Sequence, residues 1–166
     1  MSWWYKEGNK FLDRGEQLER LIHATMYDKM PSSPDEYWQI VKEVWTRQEF
    51  PYNDLSSWHD IFSLSPGFDL VTRDWISSGD KIVYRGGKHE LDLYGHSWTT
   101  DYDKALWFSN RFYSDGYVFE TTANKDNIWT YVGGPESEVI LCVTGIGPEC
   151  KMSDEVEDIQ ERLWAI

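Results

Sequence analysis

Apolar residues recur at helical intervals through the first half of the chain and at strand intervals through the second. Between residues 9 and 29, Phe11, Leu18, Leu21, Ile22 and Met26 fall at spacings close to three and four, with Glu16, Glu19 and Arg20 between them. This spacing predicts an amphipathic helix that Pro31 and Pro34 bring to an end. A second helix is predicted from Ser33-Pro34-Asp35-Glu36, where a capping Ser precedes a Pro at the first helical position. Ile40, Val41, Val44 and Trp45 give it an apolar side, and Pro51 breaks it. Residues 52–68 mix turn formers with aromatics and favour no single element, while Leu70 to Ile76 reads as a short third helix ended by Ser77-Ser78-Gly79-Asp80.

From Lys81 the pattern shortens. Lys81-Ile82-Val83-Tyr84-Arg85 is a strand pattern that stops at Gly86-Gly87, and His96 to Thr100 is a second extended segment. A helix fits residues 101 to 112, capped by Thr100 or Asp101, with Ala105, Leu106, Phe108 and Phe112 at helical intervals. Strands follow at Tyr117 to Thr122, Ile128 to Val132 and Glu138 to Thr144, and an acidic helical tail runs from Ser153 to Trp164. Helices followed by short strands, with one helix inserted after the second strand, predict an α+β fold. No Gly-rich strand-to-helix loop of the dinucleotide type is present, so a nucleotide would have to be held in another way.

The length of 166 residues suits one domain: a mainly helical lead-in over 1–79, a β-rich core over 80–145 and a tail or helix over 146–166. Ten Trp, ten Tyr and seven Phe supply large burial areas and exclude disorder throughout. No stretch approaches the roughly 20 apolar residues of a membrane-spanning helix, and the first residues lack the layout of a secretory signal, so a cytoplasmic protein is expected. Cys142 and Cys150 do not have zinc-site spacing and are expected to be reduced; no metal is expected. The formal charge of -13 disfavours sequence-independent nucleic-acid binding and leaves room for an acidic face toward a basic protein partner.

Three short segments could carry chemistry. Arg85, at the end of an apolar strand and before two glycines, can offer its planar fork to a phosphate or carboxylate, although an exposed strand-end Arg before a turn would look the same. In Gly95-His96-Ser97-Trp98-Thr99-Thr100, an extended backbone puts Ser97 and Thr99 on one face and Trp98 on the other. A polar strand edge leading into a helix cap would read identically. Glu136 and Glu138, two apart after Gly133-Gly134-Pro135, share a face if the segment is extended; the plain alternative is a solvated acidic strand start.

Taken in order, a strand-ending Arg, a Ser-x-Thr strand leading into a helix and a Glu-x-Glu before a late strand resemble the Arg-Ser-Glu class of ADP-ribosyltransferases. The resemblance covers residues 81 to 144. It implies a split β-sandwich with NAD, as substrate, in a cleft between two small sheets. It further implies that Arg85 holds the phosphates or the nicotinamide-side ribose and that the Gly86 backbone grips the carboxamide. Ser97 would orient the catalytic glutamate and the ribose, Thr99 would be a mainly structural hydroxyl of the cofactor site, and Glu138 would be the catalytic glutamate. Glu136 would receive the acceptor side chain, as in arginine-modifying members. Tyr131 resembles the aromatic that recognises the acceptor, and Phe112 or Tyr113 could stack on nicotinamide. The middle motif, Ser97-Trp98-Thr99, departs from the commoner Ser-Thr-Ser while keeping both hydroxyls.

The implied activity is mono-ADP-ribosylation of a protein, at an arginine side chain. The small size and acidity fit a phage or bacterial effector working in the host cell cytoplasm. Hydrolysis of NAD by water is a neighbouring possibility. An inactive relative that blocks a basic partner is the alternative of another class, and retention of Arg85, Ser97 and Glu138 together argues against it.

Overall fold

Six helices and six strands succeed one another in a computed structural model that describes residues 3–6, 13–48, 55–87, 95–111, 116–142 and 151–152. The helices are α1 (Trp3–Lys6), α2 (Arg14–Met26), α3 (Pro34–Arg47), α4 (Leu55–Ser63), α5 (Leu70–Ser77) and α6 (Tyr102–Asn110). The strands are β1 (Lys81–Gly87), β2 (Ser97–Thr99), β3 (Tyr117–Ala123), β4 (Ile128–Gly133), β5 (Glu138–Leu141) and β6 (Lys151–Met152). Mixed α+β architecture is thus present as expected. No helix among the described residues is long and apolar enough to cross a membrane.

The chain divides into two compact units, residues 1–73 and 74–166, and the division falls within α5, close to the boundary that the sequence places between helical lead-in and β-rich core. In the first unit Asp13 caps α2; residues 9–12 of the helix expected from periodicity lie outside the described residues. The Asp13 carboxylate accepts the Glu16 N–H at 2.8 Å and the Glu16 carboxylate accepts the Asp13 N–H at 3.0 Å, a reciprocal box that satisfies two open donors of the helix start. The helix also ends before the prolines. Asp28 adopts a left-handed conformation (φ 53°), and the Lys29 N–H returns to the Ala24 carbonyl at 2.9 Å, closing the last turn. Helix α3 begins at Pro34 as expected, but the Ser33 side chain makes no capping bond. Residues 52–68, ambiguous in sequence, contain α4, which buries Trp58, Ile61 and Phe62.

Aromatic rings fill this unit. Trp45 meets Trp58 edge-on at 4.9 Å and Phe62 at 5.4 Å, and Trp58 stacks on Phe62 at 5.6 Å. Their neighbours satisfy polar tips on backbone: Trp38 Nε1 donates to the Gly67 carbonyl at 2.8 Å, and the Tyr37 hydroxyl donates to the Ile61 carbonyl. Burial pushes the Tyr37 phenol well above its ordinary range. The start of α5 is fixed by two carboxylates: Asp35 accepts the Leu70 N–H at 2.7 Å, and Asp69 accepts the Thr72 N–H at 3.2 Å while pairing with Lys42 at 2.6 Å.

In the second unit all strands join one antiparallel sheet in the order β4-β5-β2-β1-β3-β6. The resemblance implied two small sheets. Here two halves, β4-β5-β2 and β1-β3-β6, are joined through a single residue pair, Tyr84 opposite Thr99. By contrast β1 pairs with β3 along its whole length, from Lys81 opposite Ala123 to Gly87 opposite Tyr117. Gly86 and Gly87 therefore continue the strand that the sequence ends at Arg85. The segment read as a tail or helix contributes β6, paired with β3 at Phe119 and Glu120; the expected helix from Ser153 to Trp164 lies outside the described residues.

Helix α6 rests on this sheet at backbone distance. Its cap is Asp101, whose carboxylate accepts the N–H groups of Asp103 at 3.0 Å and Lys104 at 3.3 Å. Its buried positions are small, Ala105 and Ser109. Opposite them stand glycines: a Cβ on Gly86 would collide with the Ala105 carbonyl oxygen, and one on Gly116 would collide with the Ser109 carbonyl oxygen. Because the obstacle at Gly86 is backbone and cannot turn aside, Gly86→Ala is expected to lower the stability of the protein by about 1–3 kcal/mol. Urea unfolding would show this as a lower midpoint with an unchanged slope, and an unchanged midpoint would mean that α6 can move away from β1.

Candidate functional site

The pairing of β1 with β2 stops after one residue pair, and a cavity of about 190 Å³ opens where it stops. Tyr84, Arg85 and Gly86 of β1, Ser97, Trp98 and Thr99 of β2, Ala105 and Phe108 of α6, and Glu136 and Glu138 line it. Of the residues singled out in sequence, Arg85, Gly86, Ser97, Thr99, Glu136 and Glu138 thus come together in one place. Each arrives there for a local reason.

Carbonyls alternate direction along an extended strand. The His96 carbonyl turns toward β5 and accepts the Leu141 N–H at 2.9 Å, so the next carbonyl, that of Ser97, turns toward β1. No continued ladder takes it there. Instead Arg85 Nη1 donates to the Ser97 oxygen at 2.6 Å, and a guanidinium occupies the place of a strand partner.

Side chains alternate as the sequence predicts. Trp98 is buried on one face and its indole N–H donates to the Gly95 carbonyl at 3.0 Å. On the other face Ser97 sits opposite Ile140 and diagonal to Glu138, within reach across neighbouring strands. The Ser97 hydroxyl donates to Glu138 Oε2 at 2.7 Å. Ser97 therefore holds a guanidinium with its backbone oxygen and a carboxylate with its side chain.

Thr99 stands directly opposite Glu138, but its hydroxyl serves a neighbouring loop: it donates to the Glu136 carbonyl at 2.6 Å and accepts the Asp101 N–H at 3.0 Å. A second tie runs beside it, from the Thr100 N–H to the Ser137 carbonyl at 3.2 Å. Together they fasten the β4–β5 connection to the start of α6.

Glu136 and Glu138 do not share a strand face. Glu136 lies in the turn that reverses the chain between β4 and β5, where Gly133 (φ 73°), Gly134 (φ 70°) and Ser137 (φ 47°) all take left-handed backbone. Such a run of positive φ, one of them at a non-glycine residue, replaces the extended geometry that a two-residue spacing assumes. The exposed Glu136 reaches the cavity from the turn, and Glu138 reaches it from the first position of β5.

The aromatic candidates fare differently. Tyr131 is a strand residue of β4 opposite Val139, not part of the loop, and its ring lies parallel to Trp75 at 4.8 Å. It does not line the cavity. Phe112 and Tyr113 lie outside the described residues. A ring that does line the cavity is that of Phe108, which reads in sequence as a packing position; its neighbour Trp107 is 57% exposed. A finer helical reading could have found it, since Phe108 borders the narrow stripe of Ala105 and Ser109 that faces the sheet. Tyr84, likewise unassigned in sequence, lines the cavity and meets Tyr102 edge-on at 5.2 Å.

Among the described residues no cluster of His, Cys, Asp and Glu is arranged to hold a metal ion. Among the described residues, the cavity is lined by the guanidinium of Arg85, the carboxylates of Glu136 and Glu138 and the hydroxyls of Ser97, Thr99 and Tyr84, set beside aromatic rings. Compared with known proteins, the chain matches no family model, no curated protein and no solved structure.

Proposed function

We propose that this chain is an ADP-ribosyltransferase that takes NAD as substrate and transfers ADP-ribose to a protein, at an arginine side chain. The observation that carries the reading is the double role of Ser97, which binds Arg85 at 2.6 Å and Glu138 at 2.7 Å in one cavity. The narrow junction between the sheet halves supports the fold expected of that class, with the substrate entering where β1 and β2 part.

In this reading the chemistry is electrostatic. Cleaving the bond between nicotinamide and ribose develops positive charge on the ribose, and a carboxylate already fixed beside it stabilises that charge more than the ground state. Glu138 supplies the carboxylate, and the Ser97 hydroxyl fixes its direction. Arg85 offers donors to the phosphates or the nicotinamide-side ribose, with a geometry that an ammonium does not reproduce. A cavity of about 190 Å³ is smaller than the ~300–1,000 Å³ of pockets that bury a whole drug-sized ligand, so the nicotinamide-ribose end is the part it would enclose. Phe108 offers the aromatic wall for the nicotinamide ring. Glu136, exposed on its turn, would receive a guanidinium acceptor in this reading.

Incubation with labelled NAD and a cell extract tests the reading directly. Label on a protein supports transfer, nicotinamide release without protein label supports hydrolysis, and neither product removes the enzymatic reading in favour of a binding module.

Glu138→Gln keeps size and hydrogen-bonding capacity while removing the charge. Loss of a transition-state interaction of roughly 3 to 4 kcal/mol is expected to slow nicotinamide release about 10²- to 10³-fold with little change in NAD affinity. Wild-type turnover in the folded variant would remove Glu138 from the chemistry. Glu136→Gln is expected to suppress protein labelling while leaving most nicotinamide release intact, because the turn is held through the Glu136 backbone and not its side chain. The two products are assayed in parallel, and equal loss of both would assign Glu136 to the bond-breaking step or to the fold.

A further inference from the structure

Gly95 precedes β2 and is buried. Its backbone is not in the left-handed region, so an alanine could adopt the same conformation, and no turn there demands glycine. What the position lacks is space. A Cβ on Gly95 would overlap Nη2, Cζ and Nε of Arg85, three atoms of one guanidinium plane. The arginine head therefore lies flat against the bare Cα of Gly95 while its Nη1 donates to the Ser97 carbonyl. Gly95 is itself anchored, since its carbonyl accepts the N–H of the buried Trp98 indole at 3.0 Å. Of the two parties to the overlap, the glycine is tied to a packed ring and the guanidinium is the far end of a flexible side chain. A methyl group at this place would move the guanidinium.

We propose that Gly95 is the positioning residue for Arg85: its missing side chain is the platform that aims the guanidinium into the cavity. This rests on the function proposed above as far as NAD is concerned, but the platform itself is a property of the free protein. It assigns Gly95 a place in the site that is distinct from that of Gly86, whose missing Cβ makes room for the backbone of α6. The two glycines predict different failures. A side chain at Gly86 strains the fold, whereas one at Gly95 leaves the fold and turns the arginine away.

The test is Gly95→Ala, read in two independent ways beside thermal unfolding. In the ligand-free protein, the Arg85 Nε–H resonance is identified by its loss in Arg85→Lys. It is expected to shift in Gly95→Ala toward the position of solvent-exposed arginines. In nicotinamide-release kinetics, KM for NAD is expected to rise on the order of tenfold to a hundredfold, the loss of hydrogen bonds from a charged donor, while kcat changes far less because Ser97 and Glu138 stay paired. In an Arg85→Lys background the same substitution is expected to add little, since lysine has no planar head to displace. An unchanged Arg85 resonance in folded Gly95→Ala overturns the proposal, and so does a fall in kcat with KM unchanged. If Gly95→Ala does not fold, recovery of folding in Arg85→Ala/Gly95→Ala supports the clash with the arginine head, and failure to recover overturns it. A wild-type protein that leaves NAD intact removes the proposed function, and the resonance measurement still decides the role of Gly95.

Discussion

The hydrogen bond from Arg85 to the Ser97 carbonyl sits where a β-sheet would otherwise have continued. Strands β1 and β2 touch at Tyr84 and Thr99 and then stop pairing, which leaves a backbone acceptor facing the gap. A part-buried carbonyl in that position is stabilised by a donor. The donor is a side-chain cation, so the same event that interrupts the sheet brings charge into the opening. The cavity, the carboxylate held by Ser97 and the close seating of α6 follow around that interruption.

The arrangement divides labour between the two oxygens of Ser97. Its backbone oxygen belongs to the strand and is aimed by alternation along β2, with the His96 carbonyl engaged on one side and that of Ser97 freed toward the other. Its hydroxyl is aimed by the register of β2 with β5, which sets Glu138 on the diagonal. Both directions thus rest on the pairing of β2 with β5, and slippage of that register by one position would turn Glu138 to the opposite face of the sheet.

Much of this was legible in the sequence where one element sufficed. The apolar spacing of α3, the strand texture of β1 and β3, the alternation of Ser97, Trp98 and Thr99, and the placement of α6 after β2 all depend on local pattern. The cap of α2 is legible too, in the Asp13-x-x-Glu16 spacing, which apolar periodicity alone does not report. Other features depend on what lies across the chain. Gly86 and Gly87 read as a stop because glycine weakens strands, yet β3 pairs with both and α6 needs the bareness of Gly86. Glu136 and Glu138 read as one strand face because the positive φ of Ser137 has no local mark. Tyr131 reads as an aromatic free to meet an acceptor because its ring partner, Trp75, lies far away in sequence. Phe108 reads as a packing position because its exposure depends on which stripe of α6 meets the sheet.

The turn that carries Glu136 is fastened by the Thr99 hydroxyl to a backbone oxygen, and by the Thr100 N–H to another. Neither bond involves the side chains at positions 136 and 137. Glu136 could be replaced without loosening the turn or disturbing the Ser97–Glu138 pair beside it. The rim of the cavity is in this sense a replaceable part mounted on a fixed bracket, and the chain can change what it meets at that rim while its inner charges keep their places.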